Sequence, residues 1–417
     1  MNKIISKYIH LKSILGIIVF SFCTTFFGQN KEAPLTKLLD ATVFETPKLY
    51  WKPELDQGNI KALFYETLDY KGKPTRAFAY MGIPESETPV PAMVLVHGGG
   101  GRAFYEWVKI WNDRGYAAIA MSLEGHVHDD KGAGKFVHEF SGPQRVGRFD
   151  DIELPLKEQW MYHAVSDILL GHSLLAAQPE VDASRIGITG ISWGGILSSL
   201  VSGVDNRLQC AIPVYGAGFL YESKGHFGDE GDNSSEVIEK KKFWDPARQF
   251  SKAKVPTLWV NGDSDAHFSL NITSHSFDVT KDHAFMSIHH GMKHGHPPGW
   301  RPNEVPEIYA FADYILKGKS PGLGRITKQP SEGKSVVKYA SEVPVLKATL
   351  YYQKEPLTYT KLEGEKHPHS GTWFSKPLKL HAKDKSVVVE LPKDCKTYYV
   401  NLEDERGFII STQLIEL

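Results

Sequence analysis

The chain has little cysteine and almost no net charge. It holds three cysteines in 417 residues, and 48 basic residues nearly balance 49 acidic ones, for a formal net charge of −1. No basic field that would attract nucleic acid is therefore expected. Cys23 lies close to the amino terminus, and Cys210 and Cys395 fall in different predicted domains. We expect no structural disulfide.

Long apolar runs are also scarce, and the one near the amino terminus is short. Three lysines, at positions 3, 7 and 12, precede an apolar stretch over residues 14–22, and the small Gly28 follows. This arrangement is typical of a cleavable secretory signal peptide, and the apolar stretch is too short for a stable membrane span. We therefore predict a signal peptide over residues 1–28 and a secreted or periplasmic protein without a membrane span.

A serine between glycines stands near the middle of the chain. Residues 185–189 are typical of an apolar strand, and Gly190, Ser192 and Gly194 follow in the pattern G-x-S-x-G. A sharp turn from strand to helix holds such a serine in a strained conformation with its hydroxyl exposed, and the glycines avoid clashes with neighbouring elements. Ser192 is the candidate nucleophile. The alternative is a glycine-rich turn whose serine only caps a helix.

Acidic side chains follow the next predicted strand. The strand over residues 256–261 leads to Asp263 and Asp265. In an α/β-hydrolase the triad acid comes after the serine, at the carboxyl edge of the sheet. Asp265 is preferred because it lies far enough past the strand to turn toward an imidazole. Asp263 competes with it and is expected to cap or solvate the turn.

Histidines follow the last predicted strand, over residues 284–289. His289 and His290 end this strand and are held too close to the sheet to reach the serine. His294 and His296 lie in the loop beyond it. His294 is the preferred base because a glycine follows it, whereas His296 precedes a proline, is restrained toward an extended conformation and is expected to line the pocket.

A run of glycines follows an earlier buried strand. Residues 92–96 are continuously apolar, as expected of a parallel strand, and H-G-G-G-G occupies positions 97–101. Glycines at this position let backbone N–H groups approach a carbonyl oxygen, which is the chemistry of an oxyanion hole. The histidine that opens the segment is expected to brace the loop. A phosphate-binding loop is the competing interpretation, but the Gly-Lys-Ser/Thr of such loops does not follow.

The surrounding pattern predicts the architecture. Strands and helices alternate between residues 92 and 316, which indicates a doubly wound, mostly parallel sheet of the α/β class. Short alternating runs without a helix pattern then suggest a small all-β sandwich. We predict a catalytic domain over residues 29–325, a linker over residues 326–335 and the β-sandwich domain over residues 336–417.

Two histidine-rich segments raise a metal hypothesis. One is the cluster around His294, and the other is the irregular stretch over residues 124–158, which carries His126, His128, Asp129, Asp130, His138 and Glu139. The spacing in the stretch over residues 124–158 matches no familiar metal-ligand motif, and the Ser-Asp-His order already assigns a catalytic histidine to the cluster around His294, so we expect no metal and no cofactor.

Several aromatic or imidazole side chains are predicted to contact a substrate. Trp160 and Tyr215 lie near predicted strand ends or helix starts, where aromatic rings suit sugar rings, although core packing is the open alternative. His267 and His296 complete this set.

Residues 62–315 resemble the secreted α/β-hydrolases of the dienelactone hydrolase and acetylxylan-esterase-like group. The matching stretches are PAMVLVHGGGGRAF, GYAAIAM, WMYHAV, GISWGG, WVNGDSD and MKHGH. The resemblance implies a triad of Ser192, Asp265 and His294, and an oxyanion hole of Trp193, Gly99 and Gly100. It departs at residues 266–269, A-H-F-S, where such enzymes tend to have aromatic and proline residues. The C-terminal β-domain lies outside it.

The sequence therefore predicts a secreted serine carboxylesterase that acts on acylated carbohydrate or another small ester. Two alternatives stay open. One is a serine peptidase with the same triad, and the other is a glycan-binding protein whose triad is vestigial.

Overall fold

The computed structural model describes residues 35–129, 134–225, 238–239, 241–251, 253–295, 305–330, 335–360 and 369–417. The predicted signal peptide and His296 lie outside these ranges. Residues up to Asp40 form a unit of their own, and its described part contains the short helix α1, Leu35–Leu38. The second unit comprises Ala41–Leu417 and contains the large sheet, the predicted triad and the C-terminal strands.

The first part of this unit is rich in strands. They are β1 Leu49–Trp51, β2 Lys61–Tyr70, β3 Lys73–Gly82, β4 Val90–Val96, β5 Ala117–Met121, β6 His126–Asp129, β7 Gly134–Val137, β8 Val181–Ile191, β9 Cys210–Val214, β10 Thr257–Gly262 and β11 Ala284–His289.

Helices alternate with these strands. They are α2 Tyr105–Asn112, α3 Trp160–Ala176, α4 Trp193–Ser202, α5 Ala247–Phe250, α6 Leu270–Thr280 and α7 Glu307–Lys317. Short 3₁₀ turns occur at Ala41–Phe44, Pro53–Leu55, Leu156–Glu158, Leu220–Glu222 and Ala382–Asp384. Within the described ranges, no helix is both long and apolar enough to cross a membrane.

Nine of these strands, among the described residues, form one sheet in the order β1-β2-β3-β5-β4-β8-β9-β10-β11. The pairs β1–β2, β2–β3 and β3–β5 are antiparallel. Every later pair in this order, from β5–β4 to β10–β11, is parallel. Every residue of β4 and β5 is buried, because helices cover a parallel sheet on both faces. The predicted α/β architecture is confirmed, and the predicted last strand of the sheet matches β11.

The chain after α7 consists of short antiparallel strands. They are β12 Arg325–Lys328, β13 Ser335–Ala340, β14 Val345–Gln353, β15 Tyr359–Thr360, β16 His369–Ser370, β17 Phe374–Pro377, β18 Leu380–His381, β19 Ser386–Val389, β20 Thr397–Asp404, β21 Ile409–Ser411 and β22 Ile415–Glu416. One sheet runs β12-β13-β19-β18 and another β17-β14-β20-β21.

The two larger C-terminal sheets share one apolar core. Val337 and Val387 from the first sheet pack with Leu350 and Val400 from the second. This arrangement confirms the predicted all-β C-terminal region. The strand β12, Arg325–Lys328, overlaps the first residues of the predicted linker, 326–335. These residues form a strand because their backbone pairs with β13. The predicted domain boundaries stay a prediction.

The C-terminal strands cover the edge of the large sheet. At the edge strand β11, the Ile288 N–H donates to Ser411 Oγ at 2.7 Å, and Asn401 Nδ2 donates to the Ile288 carbonyl at 2.9 Å. Ser411 Oγ donates in turn to Asn401 Oδ1 at 2.7 Å. These bonds close a ring of three hydrogen bonds and satisfy backbone groups that an uncovered edge leaves unpaired.

Asn401→Ala should lower the free energy of unfolding by about 1–3 kcal/mol, because it leaves the buried Ile288 carbonyl and Ser411 hydroxyl without their partner. Chemical denaturation measures the change. Leu346→Ala is the matched control, since Leu346 is 60% exposed on the same C-terminal sheet. Equal stability of the two variants would show that the ring contributes nothing.

Candidate active site

Ser192 lies on a strained turn between β8 and α4. Its backbone has φ of 56° and ψ of −120°, outside the regions that non-glycine residues favour, and its side chain is buried. Gly194 makes the turn possible, because a Cβ there would overlap the carbonyl oxygen of Val96 in the neighbouring strand. The Ser192 N–H donates to the Val214 carbonyl at 3.1 Å. The chain therefore holds this serine between two strands at the head of a helix.

Ser192, His294 and Asp265 form a continuous hydrogen-bonded chain. His294 Nε2 lies 3.0 Å from Ser192 Oγ, and His294 Nδ1 lies 2.8 Å from Asp265 Oδ2. The residues come from three different loops, after β8, β10 and β11, at the carboxyl edge of the parallel strands. The structure thus brings together the three residues predicted as the triad. Their catalytic roles stay a prediction.

The buried carboxylate of Asp265 determines how the imidazole is oriented. Its Oδ1 accepts hydrogen bonds from the N–H groups of His267 and Phe268, at 2.7 and 2.8 Å. A carboxylate held by two N–H donors acts as an acceptor, so Nδ1 of His294 carries the proton that it donates to Oδ2. Nε2 then presents its lone pair to the hydroxyl of Ser192, which is the arrangement that general-base catalysis requires.

Asp263 differs from the expectation that it caps or solvates its turn. Its side chain is fully buried. Oδ2 accepts from Tyr399 Oη at 2.9 Å and from His290 Nδ1 at 2.6 Å, and Oδ1 accepts from the Gly291 N–H at 2.8 Å. Asp263 therefore joins the turn of the acid, the loop of the histidine and the C-terminal β region.

The glycine segment after β4 lies against the nucleophile turn. A Cβ on Gly99 would lie 2.6 Å from Cδ1 of Trp193, so these two predicted oxyanion-hole residues are in contact. Trp193 opens α4 and places its N–H at the positive end of the helix dipole. The Gly100 N–H instead donates to Glu124 Oε1 at 2.8 Å. In this structure Glu124 engages that N–H, so a substrate oxygen would have to displace it.

The histidine that opens the glycine segment braces the loop, as expected from the sequence. His97 Nδ1 donates to the Gly98 carbonyl at 2.6 Å, and Nε2 accepts from the Leu123 N–H at 2.9 Å. The buried ring therefore links the segment to the chain that follows β5.

Glu124 and Arg145 were missed by sequence reasoning. Arg145 Nε donates to Glu124 Oε1 at 3.1 Å, and its guanidinium lies 5.2 Å from the centre of the Trp193 ring. Burial by itself raises the pKa of Glu124, but the neighbouring His97, the Gly100 N–H and Arg145 outweigh that effect and hold the pKa below its ordinary value. The position of Glu124 just after β5, at the carboxyl edge of the sheet, is the signal that could have identified it.

Trp160 and Tyr215 are buried, one beside Trp193 of the nucleophile turn and the other beside His294. Trp160 is 3% exposed and packs edge-on against Trp193, with ring centroids 5.5 Å apart. Tyr215 is 2% exposed, lies 4.7 Å from the His294 ring centroid and donates from its hydroxyl to the Gly295 carbonyl at 2.7 Å. This burial fits the core-packing alternative better than an open aromatic wall. Their assignment to the substrate site stays a prediction.

Among the described members of the predicted substrate set, His267 is the partly exposed one, and it stacks on His294 with ring centroids 4.1 Å apart. Within the described ranges, Asp265, His267 and His294 form the one group of three or more metal-ligand side chains whose ligand atoms all lie within 4.8 Å of one another. The two imidazole rings are stacked and inclined by only 26°, so their lone pairs lie in two nearly parallel planes, and an ion in the plane of one ring lies outside the plane of the other. The geometry fits a hydrogen-bonded triad better than a metal centre.

Comparison with solved structures identifies the fold. An acetyl xylan esterase from Paenibacillus sp. R4 superimposes with a TM-score of 0.51 at 19% sequence identity, over 70% of this chain and 94% of that chain. The chain carries an α/β-hydrolase domain. The predicted α/β-hydrolase fold is thereby confirmed.

Comparison with protein families and curated proteins finds similarity to peptidases. The model of the prolyl oligopeptidase family matches residues 147–319. An uncharacterized peptidase, YuxL, of Bacillus subtilis is 23% identical over 43% of this chain, and dipeptidyl aminopeptidase BIII of Pseudoxanthomonas mexicana is 22% identical over 53%. The matches cover 27% and 35% of those relatives' lengths.

Glu124→Gln should destabilise the protein by about 1–3 kcal/mol at pH 7, because it keeps the acceptor for Gly100 but removes the charge facing Arg145. The lowered pKa sets the pH dependence: the contribution of the carboxylate is complete above the ordinary glutamate pKa and is lost as the pH falls through the folded-state pKa. Thermal unfolding of both proteins at pH 7 and at decreasing pH measures the difference.

The control for this prediction is Glu106→Gln, which breaks the half-exposed pair of Glu106 with Arg102. Exposed pairs contribute about 0–1 kcal/mol, so this variant should stay close to the wild type at every pH. If the stability difference between the wild type and Glu124→Gln does not become smaller as the pH falls, the charge-based explanation is contradicted.

Proposed function

We propose that this protein is a secreted serine carboxylesterase that removes acetyl or similar acyl groups from plant or algal polysaccharide. One observation carries the reaction: the hydrogen-bonded chain from Ser192 through His294 to Asp265, with distances of 3.0 and 2.8 Å. A serine hydroxyl is a weak nucleophile until an adjacent base accepts its proton, and this chain supplies that base in the required orientation.

In the proposed reaction, Ser192 Oγ attacks the ester carbonyl while His294 Nε2 accepts the hydroxyl proton. Asp265, hydrogen-bonded to Nδ1, stabilises the imidazolium that forms. The tetrahedral intermediate collapses, the alcohol leaves with the proton from Nε2, and the acyl group stays on Ser192 as an ester. Water then repeats the sequence, with His294 as its base, and releases the carboxylic acid.

The oxyanion of each intermediate needs donors beside Ser192. We assign this role to the backbone N–H groups of Trp193 and Gly99, whose residues contact each other across the nucleophile turn. Gly100, the third predicted member, donates its N–H to Glu124 and would have to exchange this partner to bind the oxyanion. One oxyanion donor typically contributes about 3–4 kcal/mol to lowering the barrier.

The substrate class rests on different support. The fold match to an acetyl xylan esterase is compatible with acyl esters of carbohydrate. The amino-terminal pattern of residues 1–28 indicates export, which would bring the enzyme to extracellular or periplasmic polymers. The half-buried His267, stacked on His294, borders the site and is a predicted substrate contact, together with the buried Trp160 and Tyr215.

A second candidate function is a serine peptidase. It is favoured by the match of residues 147–319 to the prolyl oligopeptidase family and by the two curated peptidase relatives. The same triad cleaves esters and amides, so the geometry of Ser192 and His294 is compatible with both reactions.

Ser192→Ala should fold normally and lose at least 1,000-fold in the hydrolysis of p-nitrophenyl acetate, because the nucleophile is removed while the turn keeps its small residue. Thermal unfolding checks the fold, and labelling by a fluorophosphonate, which modifies activated serines, should occur in the wild type alone. Retention of a tenth of the wild-type turnover would contradict the role of Ser192.

The wild-type protein should release acetate from acetylated xylan with a kcat/KM at least 100-fold above that for a dipeptidyl p-nitroanilide. The activated phenyl ester cannot make this distinction, because serine esterases and peptidases both cleave it. A larger kcat/KM for the anilide would select the peptidase, and labelling without turnover of either substrate would leave the nucleophile assigned and the substrate class wrong.

A further inference from the structure

The buried carboxylate of Asp263 meets three parts of the chain that are distant in sequence. It belongs to the turn that carries Asp265, two residues before the acid. Its oxygens accept from His290 and Gly291, which begin the loop that carries His294. Besides the hydroxyl of Ser264 in its own turn, at 3.0 Å, it accepts from the hydroxyl of Tyr399, at 2.9 Å, from β20 of the C-terminal region.

The backbone of the same residue is also held by the C-terminal region. The Asp263 carbonyl accepts from Ser370 Oγ at 2.9 Å and from Trp373 Nε1 at 3.0 Å. Trp373 packs edge-on against Tyr399, with ring centroids 5.2 Å apart. Three side chains of the β region thus fix both the backbone and the side chain of one residue in the turn of the acid.

The turn of the acid and the loop of the histidine also approach each other closely at this point. A Cβ on Gly262 would overlap the carbonyl oxygen of Met292, two residues before His294. The distance between Asp265 and His294 therefore depends on how these two backbone segments are held together, and Asp263 is the charged group that bonds to both.

We propose that the C-terminal β region positions the acid and the base of the active site, and that Tyr399, acting through Asp263, is the positioning residue. This inference rests on the proposed function, since it concerns the same triad. It assigns the β region a part in catalysis that does not require it to bind substrate.

The chemistry of the pair supports this role. Burial, followed by the nearby carboxylate of Asp263, holds the pKa of Tyr399 well above its ordinary value, so the phenol stays protonated and donates. A hydrogen bond from a neutral donor to a buried carboxylate is stronger than one between neutral groups. Removing the hydroxyl leaves one fewer donor on a charge that water does not reach.

Loss of the single hydroxyl of Tyr399 should lower kcat clearly, because rates depend steeply on the placement of catalytic groups. A misplacement of about 1 Å in catalytic groups costs about 100-fold in rate. Loss of one of the bonds at Asp263 should move the Asp265–His294 pair by less than that. We therefore expect kcat on p-nitrophenyl acetate to fall about 10-fold in Tyr399→Phe, with KM within twofold of the wild type.

Tyr352→Phe is the matched control. Tyr352 lies on β14, in the same sheet as Tyr399, and packs against the core of the β region, away from Asp263. This variant loses one phenol hydroxyl from the same sheet and should keep the wild-type kcat within twofold. If Tyr399→Phe and Tyr352→Phe have equal melting temperatures, a loss of kcat in Tyr399→Phe alone reflects positioning of the triad and not lower stability.

A double-mutant cycle makes the test specific. Asp263→Asn should lower kcat about 10- to 100-fold, and adding Tyr399→Phe to it should cause little further loss, because the two changes break the same bond. If Tyr399→Phe does not fold, Ser370→Ala is tested in its place. This variant removes one donor to the Asp263 carbonyl, and kcat should fall about threefold.

The outcomes separate this inference from the proposed function. Wild-type protein that neither turns over an ester nor labels at Ser192 would contradict the proposed function. An active wild type whose Tyr399→Phe variant, or its Ser370→Ala substitute, keeps full kcat would contradict the positioning role alone. Additive losses in the cycle would also overturn it, since they would place Tyr399 and Asp263 in separate effects.

Discussion

The active site depends on a close backbone contact at the nucleophile turn. Ser192 reaches His294 only because the helix that follows it begins directly against β4, and Gly194 leaves no Cβ between the two backbones. The same closeness places the first turn of the helix beside the glycine segment after β4. Nucleophile, base and oxyanion-hole candidates therefore meet at one point, and the strain at Ser192 is maintained by the packing around it.

Three buried carboxylates surround that point, and each is stabilised by donors from the backbone. Asp265 accepts two N–H groups and His294, and Glu124 accepts one N–H group and Arg145. Asp263 accepts one N–H group and three side chains. Burying a charge without such partners is costly, so each carboxylate organises the loop that supplies its donors. The polar groups of the site thus also stabilise the loops that form it.

The C-terminal β region makes specific hydrogen bonds to the α/β-hydrolase domain. It satisfies the backbone of the edge strand at Ile288 and holds the turn at Asp263 through Tyr399 and Trp373. Since the edge strand leads directly into the loop of His294, the region stabilises the part of the sheet that carries the acid and the base. Without the C-terminal strands, the backbone N–H and carbonyl of Ile288 at this edge would be left without protein partners.

The order of motifs along the sequence was enough to predict the α/β fold and that Ser192, Asp265 and His294 would lie close together, because parallel strands place their carboxyl ends at one edge. Apolar runs predicted β4 and β11, and the G-x-S-x-G pattern predicted the turn at Ser192. The sequence could not show that Glu124 engages Gly100, that Trp160 and Tyr215 are buried, or that Asp263 is not solvated. These features depend on contacts between segments far apart in the chain, as between Tyr399 and Asp263, and only tertiary packing decides which donor reaches a buried acceptor.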